Sequence, residues 1–234
     1  MLILAFETSA KAGSVALMEN GVLLAENYQN TGLTHSQTLL SMAEAMLSHS
    51  GKTPQDVQAV AVAAGPGSFT GVRIGVAAAK GFAWGSQIPC YGVSTLESMA
   101  RSLGLWQGVV CCVMDARRSQ VYNAIFRMEK GNLTRLTEDR AIALEDLKKE
   151  LKNFEESVFL VGDGSNLCYN TLQEDLKKLV LPAEHRLHQR ATGVALAAQA
   201  KIDAGEIGDA KTLEPNYLRL SQAERERLTR EQQK

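Results

Sequence analysis

Apolar residues near the start of the chain come in short unbroken runs, and each run stops at a polar or glycine-bearing turn. Residues 2–6, Leu-Ile-Leu-Ala-Phe, read as a buried strand. Residues 14–18 and 22–28 read as two more, with Asn20-Gly21 between them as a hairpin signal. The chain therefore opens as a three-stranded meander whose first strand ends in an acid, Glu7, followed by Thr8 and Ser9. The spacing then changes. Leu39, Leu40, Ala43, Met46 and Leu47 recur as one helical face, Thr34 with Gln37 fits a capping box, and Gly51 suits the C-terminal cap. Residues 57–64 and 88–93 are further strands. Ser94 with Glu97 caps a helix that runs to about residue 103.

Between those strands lies GPGSFTGVRIGVAAAKGFAWG, residues 65–85, a glycine-rich loop leading into a helix of unusually small residues. Two stripes repeat at four-residue spacing: Gly71, Gly75, Ala79 and Ala77, Gly81, Gly85. Each helical glycine costs about 1 kcal/mol against alanine, so close approach of another backbone is the expected reason for them. That backbone belongs either to the same fold or to a second chain, and the pattern leaves both open. Arg73 and Lys80 interrupt the apolar run and exclude a membrane-spanning reading. The loop lacks the Gly-Lys-Ser/Thr of a P-loop, and Thr70 stands where a dinucleotide fingerprint needs its third glycine. A tight structural turn is expected there rather than an anion site.

From about residue 105 the opening pattern restarts. Residues 109–114 form an apolar strand that ends in Asp115. Arg117-Arg118-Ser119 turns, residues 121–126 return, and Gly131 turns again toward residues 133–136. Glu7 and Asp115 stand at matching places, as two copies of one unit would put them. A short charged helix at 144–151, a strand at 158–161 with the turn Gly162-Asp163-Gly164-Ser165, mixed helix and loop over 166–179, and a strong helix at 192–204 follow. Residues 215–219, Pro-Asn-Tyr-Leu-Arg, read as an extended arm. Ser221 with Glu224 caps a last helix, charged all round and expected to fray without a partner.

Composition narrows the chemistry. The 234 residues suffice for one large or two small domains, and 45% hydrophobic with 22% charged residues is ordinary for a globular protein. A net charge of −1 excludes a broad basic field for nucleic acid. Cys90, Cys111, Cys112 and Cys168 form no Cys-x-x-Cys pair and read as reduced core thiols of a cytosolic protein. The apolar start ends at Glu7, too soon for a secretion signal. His35, His49, His185 and His188 include no His-x-x-x-His pair, and Ser68 has no obvious base. The acids at strand ends are the best candidates: Glu7 with Thr8 and Ser9, and Asp115 opposite, for a hydrated Mg²⁺ beside a phosphate. Ala116-Arg117 after Asp115, where a phosphate-hugging turn would want glycine, speaks against that site working within this chain alone.

The segments ILAFETSAKAGSVAL, GPGSFTGVRIGVAAAKGFA, VMDARRSQVYNAIF, VGDG at 161–164 and PNYLR at 215–219 together resemble the bacterial TsaB family across nearly the whole chain. The resemblance implies an α/β, actin-like (ASKHA) fold of two lobes, each a mixed sheet flanked by helices: residues 1–105, then 106–190, with 191–234 packing back on the first lobe. It implies a cytoplasmic, non-catalytic paralogue of TsaD, the transferase that threonylcarbamoylates the adenosine next to the anticodon in tRNA. TsaD-like proteins carry a His-x-x-x-His metal motif where this chain has Thr95-Leu96-Glu97-Ser98-Met99, so no metal is expected. Glu7 stands where relatives usually have Asp. Expected partners are a second copy, TsaD and TsaE, with tRNA met only through the complex and no membrane. The expected interface is Leu39, Met42, Met46, Gly71, Gly75, Ala78, Ala79 and Phe82. Glu7, Thr8, Ser9 and Asp115 would be a vestigial or shared nucleotide site, with no cofactor held alone and ATP or ADP at a partner junction. The rival readings are an autonomous actin-fold ATPase or kinase and a metalloprotease.

Overall fold

A computed structural model describes residues 1–104, 107–117 and 119–219. The first sheet contains β1 (Leu2–Glu7), β2 (Gly13–Glu19), β3 (Val22–Gln29), β4 (Ala59–Gly65) and β5 (Cys90–Ser94), in the spatial order β3-β2-β1-β4-β5. β1 runs antiparallel to β2, with Glu7 opposite Ser14, and parallel to β4. The second sheet contains β6 (Gln107–Asp115), β7 (Gln120–Glu129), β8 (Asn132–Arg135), β10 (Val158–Val161) and β11 (Leu179–Val180), in the order β11-β10-β6-β7-β8. Read from the other edge, this is the first sheet's order again. β6 pairs antiparallel with β7 and parallel with β10, as β1 does with β2 and β4. A short extra strand, β9 (Arg140–Ala143), pairs with β7. It has no counterpart in the first sheet, and the polar residues flanking it hid it from the apolar-run signal.

The helices repeat as well. α1 (His35–His49) and α2 (Phe69–Ser86) cover one face of the first sheet, where Leu39, Met42, Met46, Leu47, Val72 and Val76 pack on Leu4, Phe6, Val60 and Val62. α4 (Leu144–Leu151) and α5 (Ser165–Leu172) cover the corresponding face of the second sheet. The remaining two helices change places. α3 (Thr95–Leu103) follows the first sheet but buries Leu96, Met99 and Ala100 against Val110, Cys112, Met114 and Phe126 of the second. α6 (Ala191–Asp203) follows the second sheet but buries Val194, Ala195 and Ala198 against Ile3, Ala5 and Ala61 of the first. The two helices also touch each other at the centre of the molecule. A Cβ on Gly193 of α6 would collide with the Ser98 carbonyl oxygen of α3, so only glycine permits this crossing. The sequence boundary at residue 105 separates the sheets, yet α3 belongs by packing to the second lobe.

Two capping readings divide. Ser94 accepts the Glu97 N–H at 3.2 Å, as expected. Thr34 makes no side-chain cap: α1 starts after it, but Gln37 is exposed and only its backbone N–H reaches the Thr34 carbonyl, at 2.9 Å. The Glu97 side chain bridges Arg101 at 2.8 Å and Arg135 at 3.2 Å instead of closing a box. The expected last helix from Ser221, and Arg118 in the second turn, lie outside the described residues.

Candidate functional site

The two sheets place their matching hairpin turns on either side of a cleft of about 630 Å³. On one wall are Ser9, Ala10 and Lys11, with Gly67, Ser68 and Phe69 beside them. On the other are Asp115, Ala116 and Arg117, with Asp163. The turns share a local design. Glu7 accepts the Ser9 N–H at 2.6 Å, and Asp115 accepts the Arg117 N–H at 2.7 Å. In each case an acid at a strand end bonds the backbone two residues on, which sets the turn. Arg117 takes a left-handed backbone, φ +62°, at the position where glycine would sit at lowest cost.

The environments of the two acids differ. Glu7 is fully buried beneath the first turn, and burial pushes its carboxyl up from 4.5 to about 7, against the lowering effect of the Ser9 bonds. Asp115 is exposed. A third acid, Asp163, reaches the cleft from the turn after β10. Burial raises its pKa too, while the Gln189 amide donates to it at 3.2 Å and opposes the rise. Sequence reasoning assigned no role to Asp163 or Gln189. The signal was present, since Asp163 ends an apolar strand in a glycine turn, as Glu7 and Asp115 end theirs.

The glycine-rich loop serves the first turn. Ser68 donates its backbone N–H to the Ser9 carbonyl at 2.6 Å, and its hydroxyl caps α2 by accepting the Gly71 N–H at 3.3 Å. Thr8 donates its hydroxyl to the Gly71 carbonyl at 2.7 Å. A Cβ on Gly67 would strike the Ser9 carbonyl oxygen, one on Gly71 the Thr8 carbonyl oxygen, and one on Gly75 the Thr8 hydroxyl. The stripe Gly71, Gly75, Ala79 therefore faces this chain's own first turn and sheet. His35, at the start of α1, donates to the Ala10 carbonyl at 2.8 Å and fixes the far side of the turn.

That packing corrects the expected interface. Leu39, Met42 and Met46 of α1 and Gly71, Gly75 and Ala79 of α2 are buried inside the protein and cannot face a partner. Ala78 and Phe82 are half-buried at the edge of the same core. The second stripe, Ala77, Gly81 and Gly85, is exposed, with nothing within 4 Å of a Cβ built on Gly81 or Gly85. Trp84 beside it and Leu40 on the neighbouring α1 are 62% and 60% exposed.

The groups that would support hydrolysis are placed elsewhere. Thr95 and Met99 are both fully buried under the second sheet. His185 and His188 lie on a turn, where His188 stands 3.6 Å from Glu184. Among the described residues no group of three or more His, Cys, Asp or Glu is placed to hold a metal. The four cysteines are free and buried, with burial pushing the Cys90 and Cys168 thiols up to about 12, so none is a ready nucleophile. No helix among the described residues is long and apolar enough to cross a membrane.

Two lobes of one topology, with exchanged helices and facing acid-tipped hairpins, define an actin-like fold. EutJ from Carboxydothermus hydrogenoformans shares it at 16% identity and a TM-score of 0.53, over 84% of this chain and 90% of that one. The model of the family described as "TsaD: tRNA N6-adenosine threonylcarbamoyltransferase" matches residues 29–227. The chain is 32% identical to the tRNA threonylcarbamoyladenosine biosynthesis protein TsaB of Bacillus subtilis over 225 residues, 96% of each chain. It is 28% identical to the solved structure of YeaZ from Pseudomonas aeruginosa, covering 93% of this chain and 99% of that one, at a TM-score of 0.75. The chain belongs to the TsaB family, within the wider family of TsaD.

Proposed function

We propose that this chain is a non-catalytic, cytoplasmic subunit of the machinery that makes threonylcarbamoyladenosine in tRNA, working beside TsaD with TsaE as an ATPase partner. Family membership supports the pathway. The observation that carries the non-catalytic reading is the full burial of Thr95 and Met99, at the positions where TsaD-like proteins carry their metal-binding histidines. A threonine and a thioether supply neither charge nor imidazole for a catalytic metal.

The cleft supports the same reading. A hydrated Mg²⁺ beside a phosphate needs ionised carboxylates with free oxygens. Glu7 is buried with a pKa of about 7, and one oxygen each of Glu7 and Asp115 is already bound by a backbone N–H. These residues do not fit an independent nucleotide site, and any ATP or ADP is shared at a partner junction. The surface offered to TsaD, or to a second copy in isolation, is the exposed side of α2, with Ala77, Gly81, Gly85 and Trp84, together with half-buried Ala78 and Phe82 and with Leu40 of α1. With a net charge of −1, tRNA is met through the complex rather than by this chain alone.

The test is threonylcarbamoyl transfer from an activated donor to tRNA. The purified chain transfers nothing alone, and its addition raises turnover by TsaD with TsaE. Transfer by the chain without TsaD refutes the reading.

A further inference from the structure

The arm at residues 215–219 runs across the mouth of the cleft and is fastened to both lobes. On the first lobe, the Asn216 N–H donates to the Ala64 carbonyl at the end of β4, at 2.6 Å. The Asn216 carbonyl oxygen sits so close to Gly65 that a Cβ there would collide with it. Tyr217 stacks on Phe69 at the start of α2, with ring centroids 4.7 Å apart and planes at 29°. Its hydroxyl accepts the Arg73 Nε–H at 2.7 Å, and the Arg73 guanidinium lies 3.8 Å from the Phe69 ring centroid. On the second lobe, the Arg219 guanidinium donates to the Ala116 carbonyl within the Asp115 turn. Five residues thus join the N-terminus of α2 to the opposite hairpin, and Asn216 through Arg219 form part of the cleft wall. The fastening is polar and aromatic, with Tyr217 39% exposed, so it is built to hold without being sealed into the core.

We propose that residues 215–219 are a strap that latches the two lobes in cis and fixes how far the interlobe cleft opens. The cleft keeps its volume of about 630 Å³ with Asn216 through Arg219 in its wall, so the strap bounds the space rather than filling it. Its two ends grip different lobes, Asn216 and Tyr217 the first and Arg219 the Asp115 turn of the second, so its release frees the two hairpin turns to move apart.

The test uses the full chain with Tyr217→Ala and Arg219→Ala combined. Upstream, Lys80 still donates to the Leu213 carbonyl at 2.9 Å and Leu213 stays in the core, so only the strap is freed. Tyr217→Phe is the conservative control, keeping the stack and losing only the bond to Arg73. Amide exchange is followed by mass spectrometry, and TsaD binding by sedimentation. In the double variant, exchange over residues 8–13 and 114–120 rises at least about tenfold while the sheet strands keep their protection. Tyr217→Phe falls between the double variant and wild type. Unchanged exchange in both turns overturns the latch. Loss of protection throughout the first sheet shows that the arm is a structural part of the lobe, and also overturns the proposal. TsaD binding reads the partner role separately from all of these.

Discussion

At the scale of single residues, Glu7 has the clearest consequence. Its carboxyl ionises near 4.5 in the unfolded chain and at about 7 in the folded one. Between those values the folded state holds the extra proton, so stability falls as pH rises through this window, and the full loss is present above pH 7. The loss is on the order of 3 kcal/mol. Asp163 is shifted in the same direction. Glu7→Gln therefore flattens the decline between pH 5 and pH 8 and is more stable than wild type at pH 8. Urea unfolding at several pH values measures it, and a slope equal to that of wild type shows that Glu7 is ionised in the native state. The sequence disclosed an acid at a strand end but not its burial. Thr8, Ser9 and the glycine-rich loop, which close over it, come from places some sixty residues apart.

At the scale of elements, α2 carries two small-residue stripes with opposite duties. Gly75→Leu meets the Thr8 hydroxyl and the Val62 side chain and lowers stability by about 1–3 kcal/mol, because the hydroxyl is buried and held by its bond to the Gly71 carbonyl. Gly81→Leu meets nothing, removes a helical glycine, and leaves stability equal or higher by up to about 1 kcal/mol. On the docking surface proposed for α2, only Gly81→Leu weakens association with TsaD while the fold is kept. Thermal melts paired with sedimentation separate the two. Gly193→Ala acts at the helix crossing, where the obstacle is the Ser98 backbone, and lowers the melt without touching either turn. Much of the architecture was legible in the sequence. The helix at 144–151 and the strand at 158–161 fall where they were read, because apolar period and flanking turns agreed there. The repeat was visible for the same reason. The duty of each α2 stripe was not, since helical spacing shows that two faces are small and is silent on which face meets Thr8. α3 packing on the second sheet was likewise hidden, because amphipathic spacing shows that a face is buried and not against what.

At the scale of the whole molecule, the halves are separable in sequence but not in packing. Without α6, the first sheet loses the cover over Ile3, Ala5, Ala61 and Val93. Without α3, the second loses the cover over Val110, Cys112 and Phe126. Fragments 1–104 and 105–234 expressed separately are expected to aggregate, each with a bare apolar sheet face. Co-expressed, they are expected to reassemble into a complex with the native circular dichroism spectrum, and a soluble, cooperatively melting 1–104 fragment alone would contradict this. The exchanged helices have the logic of a swapped pair. A half with the order three-two-one-four-five and only its own trailing helix leaves one sheet face bare, whereas two halves lending each other their last helices cover both. Carrying both halves in one chain makes that exchange independent of concentration, and leaves one hairpin acid buried and the other in water.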